Sequence, residues 1–248
     1  MIRLFPTDLR RGSFSGVRMN PFLIRAIIFD FDGVLFDSEP VRFRAAAQAL
    51  TEIGVDLTWE DFTRCWLGRT DQAGLSAVLG PRFNAEGPRV IERRNAIYEQ
   101  RLDEVQPYTD AGRFLRRMPQ GIRLAIATGS RRLEVDGILW RAVMTQSFQT
   151  IVTAEDYTRP KPAPDPFQAA ARLLQLSPAS CLVLEDSPAG VAAAQAAGMP
   201  VVAVERGREV PGLEQATWKV ATLDELTLTP RGEIVVRANS STGGGGST

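Results

Sequence analysis

Apolar residues come in two rhythms along this chain. Short unbroken apolar runs, Ile24–Phe29, Ile122–Ala127, Ile151–Thr153, Cys181–Leu184 and Val201–Val204, have the length and continuity of strands buried on both faces. Between most of them apolar residues recur at helical spacing, over Asp110–Arg117, Arg131–Trp140, Pro166–Leu174 and Ala189–Ala197. Strands alternating with helices predict an α/β fold, a doubly wound parallel sheet covered on both faces. From Pro40 to about Val105 the strand signal is missing. Helical patterns fill that stretch: Val41–Ile53, Thr58–Leu67 with Thr58 and Asp61 spaced as a capping box, Gln72–Leu79 and Arg89–Leu102. A helical block interrupting a βαβ series right after its first strand predicts an inserted α-helical cap. The expected boundaries are a core of residues 21–38 and 108–235 and a cap of residues 39–107.

The two ends lie outside this pattern. Residues 1–20 read as a disordered or peripheral extension, polar and basic from Arg10 to Arg18, without the apolar stretch of a signal peptide and with a second possible start at Met19. Residues 236–248, with four consecutive glycines in Ser240–Thr248, read as a flexible tail or linker. The 248 residues are 44% hydrophobic and 23% charged, the composition of a soluble globular chain long enough to bury a core. Lys plus Arg and Asp plus Glu each number 29, so no net field draws nucleic acid or an anionic membrane, and no apolar run reaches bilayer length. The expectation is a cytoplasmic protein, monomeric or a small homo-oligomer, with neither nucleic-acid nor membrane partners. Cys65 and Cys181 sit in apolar-periodic segments and read as buried thiols. The chain has no histidine, which removes Ser-His-Asp and Cys-His catalysis and phosphohistidine. Chemistry is left to carboxylates, hydroxyls, lysine or a hard metal. Lys161 and Lys219 are the only lysines, against 27 arginines, so a lysine at a particular place carries a mild signal.

Four short motifs follow strands. Asp30-Phe31-Asp32-Gly33-Val34 ends the first apolar run, and strand carboxyl ends line the ligand crevice of an open parallel sheet. Two acids one residue apart suit a division of labour in which one attacks and the other shuttles protons; a solvated Asp/Gly turn has the same sequence. Glu185-Asp186-Ser187 follows Cys181–Leu184, and carboxylates from two strand ends can converge on magnesium; Asp186 as a helix cap is the plainer alternative. Thr128-Gly129-Ser130 offers a hydroxyl and free N–H groups at a helix entrance, fitting an anion site or capping by Ser130. Lys161-Pro162-Ala163-Pro164-Asp165 presents one of the two lysines on a proline-stiffened loop.

Taken in order, Asp30-x-Asp32-Gly-Val, Thr128, Lys161-Pro-x-Pro-Asp and Glu185-Asp186-Ser-x-x-Gly190 resemble the haloacid dehalogenase superfamily over about Ile24 to Val204. Asp37-Ser38-Glu39, Gly68 and the run from Gly190 to Met199 are similar to its sugar-phosphate phosphatase and β-phosphoglucomutase branch. The resemblance implies a Rossmann-like core with a helical cap. It implies Asp30 as nucleophile, Asp32 as acid/base, and Thr128 and Lys161 on the phosphoryl oxygens, beside Gly129 and Ser130. It also implies a Mg2+ cofactor on Asp30, the Asp32 carbonyl and Asp186, with Glu185 nearby, and a small phosphorylated metabolite as substrate.

Asp32 speaks against dehalogenases and phosphonatases, which lack the second aspartate. By alignment, the cap histidine, lysine and arginine of the mutases fall at Arg42, Leu67 and Asp71 here. Losing the lysine and arginine removes two ligands for a far phosphate, and Asp71 would repel one, so the reading is a phosphatase, with a sugar phosphomutase as the alternative. A catalytically inactive binding protein on this fold is the third reading, against which all four core residues are retained. Arg42 and Arg69 are the expected substrate-reading groups of the cap, with solvated surface arginines as the alternative. Pro160 stands where the family commonly has glycine.

Overall fold

The computed structural model describes residues 23–66 and 70–236, together with the backbone of Arg18 and Met19. In chain order the strands are β1 (Arg18–Met19), β2 (Ala26–Phe29), β3 (Phe36–Asp37), β4 (Gln106–Pro107), β5 (Arg123–Ala127), β6 (Thr150–Val152), β7 (Cys181–Glu185), β8 (Val201–Val204), β9 (Trp218–Val220), β10 (Leu226–Leu228) and β11 (Ile234–Val236). The helices are α1 (Glu39–Thr51), α2 (Trp59–Cys65), α3 (Asp71–Leu79), α4 (Phe83–Glu99), α5 (Thr109–Arg116), α6 (Arg132–Arg141), α7 (Asp165–Leu173) and α8 (Pro188–Ala196).

Six strands form one parallel sheet in the order β6-β5-β2-β7-β8-β9. Its apolar runs are continuous because both faces are covered. Ile27 and Phe29 of β2 and Leu182 and Leu184 of β7 pack with α5 and α6, whereas Ala26, Ile28, Cys181 and Val183 pack with α7 and α8. Phe29 meets Phe114 and Phe148 edge-to-face at 6.1 and 5.9 Å, which anchors the end of β2 directly before Asp30. A buried phenylalanine of this kind is worth about 3–5 kcal/mol against alanine, so the strand end is firmly placed. The strand order reverses at β2, and a ligand crevice opens where β2 and β7 end side by side.

Helices α1 to α4 form the insertion. Val41, Ala45, Ala46, Ala49 and Leu50 of α1 and Val90, Ile97 and Tyr98 of α4 are buried. Phe43, Trp59, Phe62 and Trp66 add an aromatic chain. Thr58 caps α2, its Oγ accepting from the Asp61 N–H, while the Asp61 carboxylate accepts from the Thr58 hydroxyl at 2.6 Å instead of from the backbone N–H of the expected capping box. The chain crosses from core to insertion and back through β3 and β4, paired antiparallel with Phe36 opposite Pro107 and Asp37 opposite Gln106.

Several expectations need correction. Helix α4 starts at Phe83 rather than Arg89 and runs through Pro88. Pro88 and Asn84, whose carbonyl loses its partner, are both exposed, so the interruption costs little. Strand β9, short and carrying Lys219, gave no apolar run, yet it closes one sheet edge. Cys181 is buried as expected, but Cys65, at the end of a helix whose one buried residue is Phe62, is only half-buried. Of the 1–20 extension, Arg18–Met19 pair antiparallel with β11, whose last residue, Val236, falls inside the expected tail; residues 1–17, 20–22 and 237–248 lie outside the described residues.

Candidate active site

Parallel register decides which side chains meet. Phe29 lies level with Leu184 of β7 and Ile126 of β5, so Asp30 is level with Glu185 and Ala127, one residue before Thr128. The Asp30 N–H donates to the Leu184 carbonyl at 2.9 Å, extending the strand by one residue and burying the Asp30 carboxylate. Lys161, on the loop before α7, lies 2.6 Å from both Asp30 Oδ1 and Glu185 Oε1. Glu185 is fully buried, its Oε2 accepting from the N–H groups of Asp186 and Ser187 and from the Ser187 hydroxyl. Gly190 makes this possible: a Cβ there would stand 1.8 Å from the Glu185 carboxyl. Both Glu185 oxygens are thus committed, and its arrangement is that of a holder for Lys161.

Gly33, at φ +79°, turns the chain so closely past Asp186 that a Cβ would lie 1.9 Å from Oδ2. Asp30, Glu185 and Asp186 each bring a carboxylate oxygen within 4.8 Å of the others. Burial raises Asp30 to about 7, with Lys161 opposing and Glu185 and Asp32 adding to the rise. Asp186 is also raised well above the usual carboxylate range, by burial and then by Glu185, Asp30 and Glu39. Crowded acids of this kind lack positive charge, and an all-oxygen donor set fits a hard divalent cation.

Asp32 sits in a different environment. Its Oδ1 accepts from the Ser38 hydroxyl, and its Oδ2 from Arg42 Nη2 at 3.1 Å and from Ser130 Oγ. Burial pushes this carboxyl up, but the Arg42 guanidinium and the hydroxyls of Ser130 and Ser38 outweigh it and hold Asp32 below its ordinary value. Two acids one residue apart therefore differ in protonation preference, Asp30 raised and Asp32 lowered. Neither suspected cap role holds. Helix α8 is capped by Ser187, which accepts from the Gly190 N–H at 3.0 Å, not by Asp186. At α6, Glu134 accepts from the Arg131 N–H at 3.3 Å, and the Ser130 hydroxyl is spent on Asp32. Thr128 Oγ accepts from the Ser130 N–H at 3.0 Å.

A cleft of about 650 Å³ joins these groups, lined by Asp30, Asp32, Thr128, Gly129, Lys161 and Asp186 among others. The insertion supplies its far wall. Arg42 is not a solvated surface residue: it stacks 4.7 Å from the Tyr98 ring and donates to Ser130 at 2.7 Å as well as to Asp32. Arg69, Leu67 and Gly68 lie outside the described residues. Asp71 does not face the cleft as a bare charge, because Trp66 Nε1 donates to it at 2.9 Å and Arg94 Nη1 at 2.8 Å, so it is not the repelling group expected for a distal anion. Arg94 went unforeseen. It is buried on the same wall, 5.3 Å from the Tyr98 ring, and its Nε has no hydrogen-bond partner. Its helical i, i+4 spacing to Tyr98 was legible; its direction was not.

The parallel sheet thus gathers acids, a lysine and hydroxyls in one crevice beneath the helical cap. The chain belongs to the haloacid dehalogenase-like hydrolases, the family that matches residues 27–204. It is 34% identical over 190 residues to Protein SUPPRESSOR OF QUENCHING 1 of Arabidopsis thaliana, covering 73% of this chain but only 18% of that much longer protein. It is 32% identical to a plasmid-encoded phosphoglycolate phosphatase of Cupriavidus necator, over 83% of this chain and 91% of the relative. It is 29% identical to beta-phosphoglucomutase of Bacillus subtilis, over 83% and 92%. Among solved structures, CbbY of Rhodobacter sphaeroides in complex with phosphate shares the fold, with TM-score 0.68 at 24% identity, over 82% of this chain and 96% of that one.

Proposed function

We propose that this protein is a Mg2+-dependent phosphatase of small phosphate monoesters, of sugars or other small metabolites, acting through a phospho-aspartate at Asp30. One observation carries the reading: Lys161 joins buried Asp30 to Glu185, while neighbouring Asp32 is bonded to Ser38, Ser130 and Arg42 in the same cleft. A carboxylate oxygen of Asp30 attacks phosphorus, and the bond from phosphorus to the leaving oxygen breaks. Asp32 gives its proton to that oxygen, so an alcohol departs. Water then attacks the acyl phosphate, Asp32 takes its proton, and inorganic phosphate leaves with Asp30 restored. Held low by Arg42, Asp32 is ready for the second step; for the first it is protonated when Arg42 turns to the substrate. Lys161, the Thr128 hydroxyl and the Gly129 N–H hold the phosphoryl oxygens, and the Ser130 N–H, bonded to Thr128 Oγ, orients that hydroxyl. Asp30, the Asp32 carbonyl and Asp186 would hold Mg2+, with Glu185 behind them. When bound, the ion supplies charge neutralisation at the transferring group.

Arg42 and Arg94 on the cap wall favour substrates with a second polar or anionic group, Arg94 through its unpartnered Nε. The same Nε favours the second reading, a sugar phosphomutase, because it could hold a distal phosphate. Product analysis separates the two: the phosphatase releases inorganic phosphate, and β-glucose 1-phosphate goes to glucose 6-phosphate negligibly. Asp30→Asn is expected to keep the wild-type fold and lose at least about 10⁴-fold in phosphate release, the scale seen for lost nucleophiles. Phosphate release by that variant at the wild-type rate would remove Asp30 from the mechanism.

A further inference from the structure

Arg206 stands just past β8, outside the four motifs in sequence. Its backbone has φ +54°, a left-handed conformation that residues with side chains rarely adopt, and Gly207 follows at +72°. The N–H groups of Glu205 and Arg206 donate to Val220 and Ala221 carbonyls, so this corner is built into the sheet. Its side chain is 8% exposed, and its donors are spent on three acceptors. Nε donates to the Gly33 carbonyl at 3.0 Å, Nη2 to the Val34 carbonyl at 2.5 Å and Nη1 to Asp110 Oδ2 at 2.5 Å. The guanidinium lies 3.8 Å over the Tyr108 ring.

The acceptors explain the strap. In the turn after Asp32, the N–H groups of Gly33, Leu35 and Phe36 bond to carbonyls within the turn itself, at Phe36 and Phe31. The carbonyls of Gly33 and Val34 are the ones that Arg206 meets. Tyr108 and Asp110 lie where the chain returns from the cap, directly after β4, and Asp110 is tied further into the core by the Leu223 N–H at 2.7 Å. One planar guanidinium thus grips both crossings between core and insertion. A lysine, with one nitrogen, cannot span these acceptors.

We propose that Arg206 is a positioning residue for the reaction assigned above, on which this inference rests. It pins the turn that follows Asp30 and Asp32, so that both acids keep their spacing to Asp186 and Thr128. Gly33 passes so close to Asp186 that a drift of the turn toward that carboxylate would displace it.

The test uses the full chain as Arg206→Lys and Arg206→Met, with p-nitrophenyl phosphate turnover in Mg2+ and amide hydrogen exchange read by mass spectrometry. Both variants are expected to lose on the order of 100-fold in kcat with KM little changed, the penalty for misplacing catalytic groups by about an ångström. Exchange is expected to rise over 31–36 and 106–111 and not in β5 or β8. Should these variants fail to fold, Asp110→Asn, which removes the charge that orients the guanidinium, is expected to show a smaller kcat loss and the same exchange pattern. Wild-type kcat in Arg206→Lys, or faster exchange spread over the whole sheet, would overturn the proposal. If the wild type released no phosphate while the exchange change stayed confined to those segments, the phosphatase reading would fall and the strap would stand.

Discussion

Replacing Lys161 by methionine removes the cation between two carboxylates and keeps most of the side chain's length. Nζ lies 2.6 Å from Asp30 Oδ1 and Glu185 Oε1; the lysine side chain is 12% exposed, the acids 11% and 1%. Burial pulls the ammonium down, but Asp30 and Glu185 outweigh it and hold it protonated far above neutrality. Removing one partner of a buried ion pair costs about 3–5 kcal/mol. In a chain of this size that is a fall in Tm on the order of 10 °C. The pH dependence has a definite sign in protein freed of metal by chelation. Asp30, raised to about 7 by burial despite Lys161, rises further once the lysine is gone. A carboxyl whose folded pKa exceeds its unfolded value binds more protons in the native state, so native stability falls as pH climbs through that interval. The variant's deficit against wild type is therefore smallest near about pH 5 and grows toward about pH 8. Urea unfolding at both pH values measures it, and kcat for p-nitrophenyl phosphate is expected to fall about 10²–10³-fold. A deficit that shrank with rising pH, or no deficit at all, would refute the placement of Lys161 between the two acids.

Three further outcomes are expected. Asp32→Asn slows the first-step burst with alkyl phosphates far more than with p-nitrophenyl phosphate, whose leaving group departs without a proton; equal losses would give Asp32 another role. Gly190→Ala drives a methyl into the Glu185 carboxyl, so soluble yield or Tm drops sharply and kcat falls with it, checked by thermal melts and turnover of the purified variant. Arg94→Lys keeps a partner for Asp71 but loses Nε, raising KM for a carboxylate-bearing monoester such as 2-phosphoglycolate about tenfold or more while p-nitrophenyl phosphate is unaffected, read from steady-state kinetics.

The parallel core was legible because a strand buried on both faces must be apolar throughout, and Ala26–Phe29, Cys181–Leu184 and Val201–Val204 say so without ambiguity. Asp30 and Glu185 were legible for a related reason: an acid directly after such a strand is carried to the crevice by register. Trp218–Val220 was not, since an edge strand has one free side and tolerates a lysine. Side-chain commitments were harder still. Nothing in the string Ser38-Glu39-Pro40-Val41-Arg42 shows that Ser38 and Arg42 close on Asp32, because that depends on how α1 returns over the sheet. Arg94 and Arg206 looked like two among many arginines. Their meaning comes from contacts 23 residues away in one case and 173 in the other, a range at which periodicity carries no information.

The pairing of β3 with β4 sets the separation between the two points where the chain leaves and re-enters the core. As opposed antiparallel residues, Asp37 and Gln106 stand about 5 Å apart. To the core, residues 38–105 are a loop whose ends are already closed, and closure entropy grows only logarithmically with the length between them. A two-residue hairpin turn could be spliced across the same gap, as could a different self-folding segment whose ends lie one strand spacing apart. Asp30, Asp32, Thr128, Lys161 and Asp186 would all remain in such a chimera, whereas Ser38, Arg42 and Arg94 would go. Core and insertion thus meet at a single seam, and two of the three groups bonded to Asp32, Ser38 and Arg42, come from the far side of it.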